Sequence, residues 1–223
     1  DTGQAVVASR TQATSADDYL AQAEVMSRQA GIKLFETGDS VEYKEKASTT
    51  LRLVNKSLAI KPTALGYSMR AEIYSILEDN NRALADIEKA LQINPGFADA
   101  YGVRAGIKSL LGDNQGAIAD YSKAIEIDPT EKDYYFSRGT TKSVLGDHKG
   151  AIADSSKAIE IDPRDAFAYL FRGTTKLKLG DHKGALADLN RAIKISPVNF
   201  ISYMLRGSIK FGFDDYQGAL SDL

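Results

Sequence analysis

From Ala98 to Glu131, apolar and small residues recur at three-and-four spacings: Tyr101, Ala105 and Leu111, then Ala117, Ile118, Tyr121, Ala124 and Ile125, with Gly112-Asp113 between the two sets. That period gathers side chains on one face of an α-helix, so the segment predicts two amphipathic helices joined at a tight turn. The pattern then repeats along the chain. Prolines stand at 62, 95, 129, 163 and 197, at spacings of 33, 34, 34 and 34 residues. The run GDNQGAIADYSKAIEIDP ending at Pro129 returns as GDHKGAIADSSKAIEIDP ending at Pro163 with three differences, and more loosely as GDHKGALADLNRAIKISP ending at Pro197. Self-similarity at a fixed period of this length marks a stacked array of helical units, each unable to cover its own apolar face.

Local chemistry punctuates each unit. Gly112, Gly146 and Gly180 can take the left-handed conformation that ends a first helix, and Asp113, Asp147 and Asp181 can cap the second. Each proline lacks an amide hydrogen and disfavours helix in the residue before it, so it stops the second helix and starts the crossing to the next unit.

The pattern resembles the tetratricopeptide repeat. Its fourth position reads Tyr67, Tyr101, Tyr135, Tyr169 and Tyr203, and its eighth Ala71, Ala105, Gly139, Gly173 and Gly207. The twentieth reads Ala83, Ala117, Ala151, Ala185 and Ala219, and the twenty-seventh Ala90, Ala124, Ala158 and Ala192. Small residues suit sites where two helix backbones approach closely, since a larger side chain would overpack the contact by about 1–3 kcal/mol. The resemblance implies an all-α fold, a right-handed superhelix of stacked antiparallel helix pairs. The expected organisation is a flexible leader at 1–14, a degenerate repeat with lengthened helices at 15–63, repeats at 64–97, 98–131, 132–165 and 166–199, and a partial repeat at 200–223. In the degenerate repeat Ser15 and Asp18 suit a capping box opening a long first helix, with Gly38-Asp39 as its turn. Leu223 falls midway through the last unit's second helix, which leads us to expect a piece of a longer protein.

Two positions depart from the family pattern. The seventh is Arg in every clear unit and the twenty-third is Asp, so Arg104 is expected to pair with Asp120, Arg138 with Asp154 and Arg172 with Asp188 across their hairpins. An arginine ladder offered to an acidic ligand is the other reading. The eleventh position is Lys108, Lys142, Lys176 and Lys210, read either as a solvated stripe or as a basic strip favouring acidic partners.

Composition narrows the function. At 223 residues and 43% apolar content the chain can bury a large core, and it shows no run of roughly eighteen apolar residues that a membrane span needs. Direct membrane insertion is not expected. Lys plus Arg (28) nearly balances Asp plus Glu (30), which gives no basic surplus for nucleic acid. No cysteine is present, so disulfides and thiolate chemistry are excluded. The histidines, His148 and His182, occupy equivalent turns in successive units and so are copies, not partners. We find no catalytic constellation, metal set or cofactor motif, and expect no enzyme. Compartment stays open: cytoplasmic by default, exported if Asp1 is a processed N-terminus.

The resemblance implies a protein or peptide partner held by the first helices on a concave side, through Phe136, Thr140, Phe167, Leu170, Thr174, Leu177, Met204 and Ser208. The carboxylate clamp of the co-chaperone members needs Lys and Asn at the fifth and ninth positions. Those positions read Ser68 and Glu72, Gly102 and Gly106, Phe136 and Thr140, Leu170 and Thr174, and Met204 and Ser208, so chaperone tails are not expected. The leading expectation is a scaffold for complex assembly. A recruiting domain of a larger enzyme and a self-associating module stand beside it.

Overall fold

The computed structural model describes residues 15–37 and 40–222, with the side chains of 28–37 and 40 outside that description. The expected leader at 1–14 and the Gly38-Asp39 turn therefore lie outside the described residues. Two compact units divide the chain, one up to Pro95 and one from Gly96. Both are all-helical among the described residues.

The first unit holds α1 (Ala16–Thr37), α2 (Ser40–Ile60), α3 (Ala64–Ile76) and α4 (Asn80–Ile93). A reciprocal box opens α1: the Asp18 amide donates to Ser15 Oγ at 3.1 Å and the Ser15 amide to Asp18 Oδ2 at 3.0 Å. At 21 residues, α2 is half as long again as the 14-residue α4. Leu20, Ala23, Ala47, Val54, Leu58 and Ile73 form the core, with Tyr67, Met69 and Ile76 packed on its edge. The turn between α3 and α4 lacks the glycine of later turns, and Glu78 takes the left-handed conformation instead, at φ 65°. Its carboxylate accepts from Lys44 Nζ of α2 at 2.7 Å.

The second unit holds α5 (Ala98–Leu110), α6 (Asn114–Ile127), α7 (Lys132–Val144), α8 (His148–Ile161), α9 (Ala166–Lys178), α10 (His182–Ile195), α11 (Phe200–Gly212) and α12 (Tyr216–Leu220). Consecutive helices pack in pairs, and each second helix also packs on the first helix of the next pair. The turns follow from their residues. Gly146 sits at φ 83°, and the Asp147 amide donates back to the Lys142 carbonyl at 2.9 Å, closing α7 in a Schellman turn. The Asp147 carboxylate then accepts the Gly150 amide at 2.9 Å. A side chain at Gly150 would place Cβ 2.1 Å from that carboxylate, so the cap itself requires a glycine there. Helices α6 and α8 each end in an extended residue before a proline, Asp128 and Asp162, both at φ −127°. Where the hairpin helices touch, Gly139 faces the Ala151 carbonyl so closely that a Cβ would lie 3.3 Å from it.

Successive hairpins interlock through pairs of unequal size. Tyr121 of α6 meets Ser137 of α7, and at the next junction Phe171 of α9 reaches to within 3.6 Å of the Cβ that Gly139 of α7 lacks. Interiors are dense enough that bulk on one side has to be matched by its absence on the other.

Candidate partner-binding face

The first helices of the second unit carry two kinds of residue, one the same in every hairpin and one that changes. The invariant kind forms an ionic triad. Arg138 Nε donates to Asp154 Oδ2 at 2.9 Å and Nη2 to Oδ1 at 2.7 Å, the two-pronged geometry that a guanidinium fork and a carboxylate share. Arg172 grips Asp188 at 2.9 and 2.7 Å, and Arg104 grips Asp120 at 2.8 and 2.6 Å. Arg206 and Asp222 repeat the arrangement at α11, and Arg70 and Asp86 repeat it in the first unit. The remaining guanidinium nitrogen reaches the preceding hairpin: Arg138 Nη1 donates to Ser122 Oγ at 3.0 Å and Arg172 Nη1 to Ser156 Oγ at 3.0 Å. Each arginine also lies over the tyrosine three residues before it, Arg138 on Tyr135 at 5.8 Å and Arg172 on Tyr169 at 5.6 Å.

The lysines of the eleventh position complete the triads. Lys108 reaches Asp120 at 2.8 Å, Lys142 reaches Asp154 at 2.8 Å, Lys176 reaches Asp188 at 2.7 Å and Lys210 reaches Asp222 at 2.9 Å. They are neither a solvated stripe nor a free basic strip, because one turn of helix separates them from the arginine and brings them to the same buried carboxylate. Burial alone would raise the Asp120 carboxyl, but the bonds from Arg104 and Lys108 outweigh it and hold the group below its ordinary value. Asp222 is lowered for the same reason, by Arg206 first.

The variable residues occupy the face expected to bind. Phe167 and Met204 are 53% and 46% exposed, and Thr140 and Ser208 are exposed as well. The two hydroxyls donate to carbonyls of their own helices, Thr140 to Phe136 and Ser208 to Met204, both at 2.9 Å. Phe136 is half-buried, set edge-on to Phe171 at 5.4 Å beside Ala168. Leu177 is half-buried at the edge of the core, and Thr174 donates to the Phe171 carbonyl at 2.8 Å. Leu170 is only 9% exposed and belongs to the core with Ala185, Leu189, Ala192 and Ile209, so its side chain is not open to a partner.

Tyr134 gives a contact that the fourth-position reading passes over. It fills the notch over Gly102 of α5, where a Cβ would lie 2.7 Å from its ring, and its hydroxyl donates to Asp99. Burial and that carboxylate together push the phenol well above the ordinary tyrosine range. The signal was present at the third position, which reads Gly66, Ala100, Tyr134, Ala168 and Ser202. Of the histidines, His148 lies 3.5 Å from Ser143 Oγ and His182 sits edge-on to Phe213 at 5.4 Å. Among the described residues, no group of three or more histidines and carboxylates could hold a metal ion, and no helix is long and apolar enough to cross a membrane.

The tetratricopeptide repeat family model matches residues 64–97, 98–131, 133–165 and 168–199. Those matches span more than half of the chain, which belongs to this family. Solved structures with similar folds include pilF of Pseudomonas aeruginosa, at 16% identity and TM-score 0.71 over 91% of this chain and 90% of that one. PilW, a type IV pilus biogenesis factor, is similar at 19% identity and TM-score 0.71, over 90% of both chains. YrrB, a TPR protein with an unusual peptide-binding site, is similar at 21% identity and TM-score 0.57, over 79% of this chain and 96% of that one. No curated protein matches the sequence.

Proposed function

We propose that α7, α9 and α11 hold an extended or helical segment of a partner protein and that the chain acts as a scaffold in complex assembly. The observation that carries this reading is the contrast within those helices. Their arginines, with Lys142, Lys176 and Lys210, are held in repeated triads, while Phe167 and Met204 hold apolar surface open at sites that change from hairpin to hairpin. Fully burying a side chain of this size contributes about 1.5–3 kcal/mol, so the exposed halves of Phe167 and Met204 supply anchors to which contacts at Thr140, Ser208 and the rest of the face must add. Under this reading the triads are structural and the partner touches few of their atoms. A second reading, association with another copy, draws on Phe200, Phe211 and Phe213, all exposed around α11.

A photo-crosslinking residue at position 167 or 204, compared with one at the exposed Ala153 of α8, tests the assignment. Capture of one polypeptide from both groove positions and not from 153, with its affinity reduced by about tenfold or more in Phe167→Glu, is the expected result. Capture from 153 alone would place the partner elsewhere. Capture of the chain itself from 204 would favour the second reading.

A further inference from the structure

The second helices of the second unit are close copies of one another, and where they differ in charge the difference falls on one exposed face. In α6 that face pairs Lys123 with Glu126 at 3.0 Å, and in α8 the equivalent residues, Lys157 and Glu160, pair at 2.6 Å. In α10 the same two sites are Arg191 and Lys194, a like-charged pair three residues apart. Such a spacing destabilises a helix through repulsion, where the two sister helices gain from attraction. Lys183 lies on the same exposed face, two turns before Arg191. Among the described residues, the side chains of Lys183 and Lys194 make no hydrogen bond or ion pair, and that of Arg191 rests only on the Tyr169 ring at 5.8 Å.

The local acids are all committed. Asp188 is buried in its triad, Asp181 caps α10 by accepting from the Gly184 amide, and α10 has no glutamate. In the following turn Asp214 accepts from the Tyr216 hydroxyl and Asp215 caps α12. The residues 166–199 accordingly carry six Lys and Arg against two Asp, whereas 98–131 carries three against six acids.

We propose that the exposed face of α10 is a second interaction site, distinct from the groove, which takes an acidic segment of a partner protein. The cations are spread over the face by helical rise, Lys183 and Arg191 about 12 Å apart and Arg191 and Lys194 about 4.5 Å apart. An extended segment with carboxylates roughly four residues apart spans the longer distance. A membrane surface fits less well, since the exposed residues between the cations are Ala187 and Asn190 and supply no apolar anchor. Single-stranded nucleic acid fits less well too, because the face offers no free aromatic platform: the ring at hand, Tyr169, lies under Arg191.

Fluorescein-labelled decaglutamate, titrated into the full chain at low and at physiological salt, tests the site. The wild type binds, and its affinity falls as salt rises. In the triple variant Lys183→Gln, Arg191→Gln, Lys194→Gln affinity drops by about tenfold or more, while Lys123→Gln on α6 changes it less than about twofold. Circular dichroism and the melting temperature confirm that both variants are folded. A Lys183→Gln, Lys194→Gln double variant, which leaves Arg191 on its ring, keeps the test available should the triple unfold. Equal binding by wild type and the variant lacking the cations overturns the proposal. So does tighter binding of phosphatidylserine vesicles or of oligouridylate than of decaglutamate, lost in the same variant, since it would assign the face to lipid or nucleic acid.

Discussion

Charges inside the hairpins and charges on their outer faces obey different rules, although the same residue types supply both. Within each hairpin of the second unit a buried Asp holds an Arg and a Lys, at Asp120, Asp154, Asp188 and Asp222 alike. On the exposed faces of α6, α8 and α10 the pairing drifts, from Lys123–Glu126 and Lys157–Glu160 to Arg191 and Lys194. Burial explains the contrast. A carboxylate taken out of water without its cations costs several kcal/mol, whereas an exposed pair is worth little and is free to vary. Positions that vary at low cost are where a scaffold can acquire specificity.

Removing one acid of each kind should separate the two sets of charges. Asp154→Ala leaves Arg138 and Lys142 without their carboxylate, and since both can partly turn to water the expected loss is about 2–3 kcal/mol, below the roughly 3–5 kcal/mol of a fully buried severed pair. Urea unfolding followed by circular dichroism measures it, and an unchanged midpoint would make the triads ornamental. A smaller effect comes from acid. Asp120 and Asp222 have folded-state pKa values below their unfolded ones, so their stabilisation is complete above about pH 5 and is lost as pH falls through the unfolded value near 4 and below. The urea midpoint should drop between those limits, and less steeply in Asp120→Asn; parallel slopes would contradict the linkage. Smallest of all, Glu160→Ala, which frees the exposed Lys157, should move the melting temperature by less than about 1 °C.

Much of this is legible in the sequence because the repeat supplies its own alignment. The glycine turns, the aspartate caps and the closing prolines are local devices, and each sits where its backbone chemistry requires it. The capping box at Ser15 and Asp18 is legible for the same reason. Tertiary reach is harder to read. Arg138 and Asp154, separated by sixteen residues around a tight turn, suggest one another, yet Lys142 is drawn to the same carboxylate from one turn further on. Leu170 has the register of a groove residue but lies in the core, because its burial depends on Leu189 and Ile209 in other helices. Tyr134 escapes a reading that follows the fourth position, since its meaning lies in the absence of a side chain at Gly102.

Amide hydrogen exchange of the chain with and without its crosslink-captured partner shows whether the first helices hold that partner. Partner binding should slow exchange along the exposed faces of α7, α9 and α11, around Thr140, Phe167, Met204 and Ser208, with the triads equally protected in both states. Protection confined to α8 and α10, with those first helices unchanged, would contradict that placement.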